Sequence, residues 1–191
     1  MSDSSSPSAP PPPPGYPAGL ERIWQAADGT PVRIRALRPD DVEREIRFIE
    51  GLSPETLYQR THYIVRAVSR SDANRLLDLD YRDTMAVGAF AADPDERLIG
   101  VSRYARIEDT DRAECAIVVA DEWHGRGVGT ELMRSLSLAA REGGYVALEG
   151  SSLAANDRIQ AWARRFGFEV DVEPNSGGQV RITIDLSSLH A

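Results

Sequence analysis

The stretch Val118-Val119-Ala120-Asp121-Glu122-Trp123-His124-Gly125-Arg126-Gly127-Val128-Gly129-Thr130 holds the residue types and spacing with the most direct chemical meaning in this sequence. An apolar run leads into glycines at 125, 127 and 129 with Arg126 between two of them, and a helical pattern starts at once. Glycine lets the main chain come close to a ligand, and the free amides and positive dipole end of a new helix attract anions. A phosphate or pyrophosphate suits such a loop. The same glycines would also serve a turn that only lets strand and helix pack tightly. All 22 basic side chains among the 191 residues are arginine, so there is no lysine for a phosphate loop, a kinase-type ATP site or a Schiff base. Neither Gly125 to Thr130 nor Gly15 to Gly19 therefore reads as a nucleoside triphosphate loop, and a dinucleotide-binding turn would need a last glycine that is missing here.

Other chemistry is excluded by counting. Cys115 is the only cysteine, which rules out an intramolecular disulfide and a cysteine metal cluster. Within an apolar run it reads as a small buried hydrophobe rather than a nucleophile. His62, His124 and His190 are scattered, so no metal is expected. A net charge of −8 argues against nucleic acid and anionic membrane surfaces and suits a cationic or neutral partner. No basic leader or apolar run of about 20 residues is present, and a cytoplasmic location without membrane contact is expected.

The elements that must position the loop follow from pattern. Residues 1–18 hold seven of the twelve prolines and almost no large apolar side chain, the composition of a disordered tail; such a run is a plain spacer or a ligand for an SH3-like partner. From 19 to 191 one folded domain is expected. Val32, Ile34 and Ala36 alternate as in a strand. Asp40 or Asp41 can cap a helix carrying Val42, Ile46 and Ile49, which Gly51 stops. Ser53-Pro54-Glu55-Thr56 starts a second helix, and a third follows Ser71. Strands are expected at Thr84 to Ala91, Leu98 to Ile107, Cys115 to Ala120, Tyr145 to Leu148, Phe168 to Val172 and Gln179 to Ile184, the last two joined by a turn at Asn175 to Gly178. Helices are expected after Gly129, along Leu132, Met133, Leu136, Ala139 and Ala140, and after Asn156, along Ile159, Trp162, Ala163 and Phe166. The sum is an α/β (α+β) fold: a mixed sheet of about six to seven strands with helices on both faces.

His124-Gly125-Arg126-Gly127-Val128-Gly129, at a strand-to-helix junction, resembles the core motif of the GNAT superfamily of acyl-CoA-dependent N-acetyltransferases, with histidine where the family has glutamine or arginine. Asn156, Ile159, Ala163, Gly167 and Phe168 are similar to the family's later Asn-to-Gly-Phe motif, and the element order agrees over residues 30 to 186. Arg38-Pro39-Asp40-Asp41, Phe48, Leu52-Ser53-Pro54-Glu55-Thr56, Tyr58 and Arg60 resemble the start of the catalytic domain in bacterial protein-lysine acetyltransferases that modify acyl-CoA synthetases. Ala113-Glu114-Cys115-Ala116-Ile117-Val118-Val119 resembles their glutamate-bearing strand.

The resemblance implies the GNAT fold, acetyl-CoA as co-substrate without a metal, and direct transfer of acetyl to a primary amine. The acceptor it implies is a protein lysine, for instance on an acyl-CoA synthetase, with a small amine or a non-catalytic acyl-CoA-binding module as alternatives. A lysine is almost wholly protonated at neutral pH and must lose a proton before it attacks a thioester. Glu114 lies where the family's base lies, and burial between apolar neighbours would suit it to that task; the alternative is an exposed glutamate paired with a nearby arginine. Cofactor contacts implied for this chain are main-chain groups of Val118 and Val119 for the pantetheine arm and the loop His124, Gly125, Arg126, Gly127, Val128, Gly129 and Thr130 for the pyrophosphate. Asn156 would bond the arm, cap its helix, or both. Ala163 stands where many members have a tyrosine acid, so either Tyr104 or Tyr145 serves or the thiolate leaves unassisted. Trp123, Trp162 and Phe166 read first as core and second as channel lining. A monomer or homodimer is expected. The roughly 18 residues before the domain are too few for a cyclic-nucleotide or synthetase-like regulatory domain.

Overall fold

The computed structural model of the chain describes residues 11–61, 68–172 and 177–188. The first ten residues of the proline-rich segment, His62, His190 and the first half of the turn Asn175 to Gly178 lie outside them. The elements are β1 (Arg22–Gln25), β2 (Pro31–Ala36), α1 (Val42–Glu50), α2 (Pro54–Thr61), α3 (Arg70–Leu76), β3 (Thr84–Ala91), β4 (Leu98–Arg106), β5 (Arg112–Val119), α4 (Val128–Glu142), β6 (Ala147–Leu153), α5 (Asp157–Phe166), β7 (Glu169–Val172) and β8 (Gln179–Asp185). They form one eight-stranded sheet in the order β1-β2-β3-β4-β5-β6-β8-β7. Every neighbouring pair is antiparallel except β5 and β6.

The eighth strand, β1, has no counterpart in the sequence reading. Its four residues are alternately half-buried and exposed, and so short a run of Arg-Ile-Trp-Gln offers little periodicity to read. In β3 every residue from Met85 to Ala91 is buried, as in a strand covered on both faces. Neighbouring residues of β4 show what covers each face. Ser102 Oγ donates to the Leu132 carbonyl of α4 at 3.0 Å. Arg103, pointing the other way, donates to the Leu76 carbonyl at 3.1 Å and to buried Glu45 of α1 at 2.5 Å. Helices α1 and α3 thus lie on one face and α4 on the other.

Asp41 does something other than cap α1. No side-chain cap bond is made there. Its carboxylate grips the Arg35 guanidinium with two 2.7 Å bonds and accepts the Arg38 N–H at 2.9 Å, while Arg35 lies 3.9 Å from the Phe90 ring centre. A carboxylate 1% exposed needs a charge partner more than a helix end needs a cap. Tyr16, assigned to the tail on composition, lies against the domain. Tyr16 meets the Tyr81 ring edge to face at 5.6 Å, stacks under Arg38 and donates to Glu21 at 2.6 Å.

The positioning feature is the junction of β5 with β6. Parallel pairing covers only Arg112↔Ala147, Ala113↔Leu148 and Glu114↔Glu149. Beyond it β5 pairs with β4 alone, as far as Gly100↔Val119, and β6 with β8 alone, as far as Leu153↔Gln179. The two strands part like a wedge. At its vertex a Cβ added to Gly150 would stand 2.9 Å from the Cys115 carbonyl oxygen and 3.3 Å from Ile182. Gly150→Ala therefore forces backbone apart, and we expect a loss of about 1–3 kcal/mol in urea-unfolding free energy.

Candidate active site

The wedge, the glycine loop and an open cleft form one continuous path. On the β4 side, the bonds from Ile107 N–H to the Arg112 carbonyl and from Ala120 N–H to the Ile99 carbonyl set the phase of the ladder. Alternation then directs the main-chain groups of Arg112, Glu114, Ala116 and Val118 to β4, and those of Cys115, Ile117 and Val119 to the wedge. Val118, expected to offer its main chain to a ligand, spends it on Val101; Ile117 is the residue that faces the opening. The Val119 carbonyl also has a partner, His124 Nε2 at 2.9 Å. A carbonyl oxygen only accepts, so the ring proton sits on Nε2 and Nδ1 is left to accept from Arg158 Nη1 at 3.2 Å. His124 thus binds the loop to β5 and to α5 with one ring.

Gly125 and Gly127 have φ of 77° and 87°, the left-handed region that glycine enters without strain. No side chain caps α4 at Gly127. The amides of Val128, Gly129 and Thr130 therefore have no helical partner and face outward with the positive end of a 15-residue helix. The turn is braced from elements far away in sequence. Ala27 N–H donates to the Arg126 carbonyl at 3.0 Å, Asp28 pairs with Arg126 at 2.9 Å, and a Cβ on Gly127 would stand 3.3 Å from the Trp24 ring. Arg126 also lies over Trp123 at 4.9 Å. Trp162 donates its indole N–H to Thr130 Oγ1 at 3.1 Å, which leaves the hydroxyl proton free to point at the loop opening. Asn156 caps α5 by accepting the Ile159 N–H at 3.1 Å; its amide nitrogen has no protein partner among the described residues.

Glu114 lines an open cleft of about 330 Å³ with Ile107, Glu149, Gly150, Ser151, Gln179, Val180 and Arg181. Its side chain is exposed rather than buried between apolar neighbours, and among the described residues it makes no ion pair and no side-chain hydrogen bond. Arg112, the nearest arginine on the strand, pairs instead with Glu149. Cys115 is buried on the opposite face, where burial and then the Glu114 charge push its thiol up to about 12, too high for a thiolate nucleophile. Tyr104 and Tyr145 are occupied. Tyr104 donates to the Arg82 carbonyl at 3.1 Å and Tyr145 to Asp83 at 3.0 Å, with burial raising both phenols. Ala163 is fully buried, and Trp162 and Phe166 stack at 5.6 Å in a cluster with Phe168. Among the described residues no group of three His, Cys, Asp or Glu side chains could hold a metal, and no helix is long and apolar enough to cross a membrane.

The family model described as acetyltransferase (GNAT) family matches residues 34–168, most of the chain and all of the wedge and loop. The chain belongs to the GNAT acetyltransferase family. It is 36% identical over 154 residues to an acetyltransferase of Pseudomonas aeruginosa, covering 80% of this chain and 83% of that protein. It is 32% identical over 167 residues to the acetyltransferase Pat of Mycolicibacterium smegmatis, covering 78% of this chain and 48% of that protein, and so spans about half of it. The crystal structure of the GNAT domain of S. lividans PAT superposes with a TM-score of 0.83 at 29% identity, over 89% of this chain and 99% of that domain.

Within this GNAT domain, α2 is tied to the loop by a residue the sequence reading passed over. Asp121 accepts the Ser53 N–H and hydroxyl at 3.0 Å each and the Thr56 hydroxyl at 2.7 Å. Partial burial opposes its ionisation, but the bonds from Ser53 and Thr56 outweigh it and hold the carboxyl below its ordinary range. A depressed folded-state pKa stabilises above the unfolded value, near 4, and that contribution is lost as pH falls through the folded one. Asp121→Asn should therefore flatten the fall in unfolding free energy between about pH 5 and pH 2 relative to the parent, as measured by urea titrations across that range.

Proposed function

We propose that this acetyltransferase moves an acetyl group from acetyl-CoA to a primary amine by direct attack, with Glu114 as general base and a protein lysine as acceptor. The observation that carries the reading is the unpaired carboxylate of Glu114 at the mouth of the wedge. There the β5 main chain stops pairing with β6 and becomes available to an extended ligand.

In this reading the pantetheine arm takes the place of a strand along Ile117 and the Val119 N–H. The amides from Arg126 to Thr130, with the Thr130 hydroxyl, bind the pyrophosphate, and the Asn156 amide donates to the arm. His124 contributes by fixing the loop. Glu114 accepts the proton of the incoming ammonium directly or through water, the free amine attacks the thioester carbon, and the tetrahedral intermediate breaks its C–S bond to release CoA thiolate, the second proton of the attacking nitrogen passing to the thiolate or to water as the neutral amide forms. The two tyrosines held by Arg82 and Asp83 leave the thiolate to depart unassisted, as a thiol pKa well below that of an amine permits.

Two observations support a protein lysine. Residues 38–60 and 113–119 resemble protein-lysine acetyltransferases that act on acyl-CoA synthetases. The cleft is open, and the β4–β5 turn beside it carries exposed Glu108, Asp109 and Asp111, a rim that suits a basic target. A reaction with labelled acetyl-CoA, comparing purified acyl-CoA synthetases with a panel of small amines, decides the acceptor. Label on a synthetase lysine alone supports the reading, and label only on small amines defeats it.

Glu114→Gln should lower turnover about 10²–10⁴-fold with acetyl-CoA affinity intact. Gly127→Val places a side chain at left-handed φ against Trp24 and should weaken acetyl-CoA binding about tenfold or more by calorimetry, with the fold retained.

A further inference from the structure

Outside the roles assigned above, the cleft holds a second carboxylate, Glu149, placed directly beside Glu114 by the parallel register. Like charges side by side would disturb each other unless one is neutralised. Arg112 lies two residues before Glu114 and on the same face of β5, its Cα about 7 Å away along the strand, well within the reach of an arginine side chain. That guanidinium could therefore reach Glu114. In the structure its Nε donates to Glu149 Oε1 instead. The two side chains are 40% and 19% exposed, so the pair is partly withdrawn from solvent while Glu114 stays open to the cleft.

We propose that Glu149 is a positioning residue that captures Arg112 and so keeps its cation off Glu114. The proposal rests on Glu114 as the base. A guanidinium within about 4–6 Å lowers a carboxyl pKa by about 1–3 units, which favours the carboxylate but weakens it as a proton acceptor. Holding Arg112 on the neighbouring strand keeps that cation off the base that faces the amine and cancels the second negative charge in the same step. Other charged groups surround Glu114. Arg181 of β8 lines the same cleft, Arg60 of α2 is close enough to act on Cys115, and Asp185 at the end of β8 feels Arg112. On β4, Ala105 stands opposite Glu114 and carries no charge, while Arg106 points to the other face and pairs with Asp83 at 3.6 Å. Glu108, Asp109 and Asp111 rim the adjoining turn. All of these are common to the variants compared below.

The test is a titration of the Glu114 side chain by NMR of protein labelled at the glutamate δ-carbon, with the resonance assigned from Glu114→Gln. The midpoint is compared in the parent, Glu149→Gln, Arg112→Gln and the double variant. Removing Glu149 takes away a negative charge in either background, so that part of the fall is the same with and without Arg112. If Glu149 captures Arg112, Glu149→Gln lowers the midpoint by about one unit more when Arg112 is present than in the Arg112→Gln background. The acid limb of kcat/KM then moves to lower pH in parallel. An equal fall in both backgrounds overturns the proposal, because Glu149 would then act only through its own charge. Glu149→Ala serves in the same comparison if Glu149→Gln does not fold. A titration that shows the extra fall while Glu114→Gln keeps full transfer activity would instead defeat Glu114 as base and leave the ion-pair arrangement standing.

Discussion

Beyond Glu114, β5 is paired with a neighbouring strand on one side only, and the rest of the site depends on that loss of strand pairing. A buried strand normally satisfies both edges, because an unpaired main-chain donor or acceptor away from water is costly. Here the Cys115 to Val119 edge opens into a wedge that water or an extended ligand must fill. The sheet tolerates the opening because Gly150 lets β6 come within touching distance of the Cys115 carbonyl at the vertex, while β8 takes up the whole remaining length of β6. The same divergence exposes Glu114, buries Cys115 on the other face and brings the end of β5 to the loop that starts α4.

That loop is short on local support and rich in distant support. With no cap on α4 and two glycines in left-handed conformation, its own residues leave it with little to prefer one shape. Its shape is set by three remote segments instead. The β1–β2 hairpin holds the Arg126 carbonyl, its side chain and the underside of Gly127. Ser53 and Thr56 hold Asp121, and α5 reaches it through Arg158 on His124 and Trp162 on Thr130. Each contact leaves the outward amides untouched. A loop fixed this way meets an anion with little left to order on binding, which is where preorganised donors gain their advantage.

Much of this was legible in residue order, and the limits have physical causes. Alternation located β2, turn residues bounded β3 and β4, capping residues and helical spacing located the α-helices among the described residues, and the three glycines marked the loop, because these signals are set by burial and by local φ and ψ. The bounds of β5 and β6 were less clear: β5 begins at Arg112 rather than Cys115, and β6 runs from Ala147 to Leu153 rather than from Tyr145 to Leu148. The missing pieces are polar Arg112, Glu114, Glu149 and Ser151, which line a cleft and so interrupt the apolar pattern of a central strand. The phase of main-chain bonding was also out of reach. Periodicity tells which face Val118 occupies but not that its N–H and carbonyl turn toward β4 while those of Ile117 and Val119 turn toward the wedge. Asp41 and Trp24 were hidden for a related reason, since their partners Arg35 and Gly127 are chosen by packing rather than by spacing.

The all-arginine composition bears on this arrangement more directly than as an exclusion. A guanidinium does not give up its proton in any range where the protein is folded, and its fork fixes a carboxylate in a definite geometry. The cations of the cleft and loop, Arg112, Arg126, Arg158 and Arg181, therefore keep constant charge. Lysine in place of Arg112 would be a mobile point charge on a flexible stem, harder to confine to Glu149 with Glu114 beside it on the neighbouring strand. With no lysine in its sequence, the chain offers none of its own side-chain amines to the cleft, so in the proposed reaction the carboxylate at the wedge mouth has no lysine of its own chain to act on.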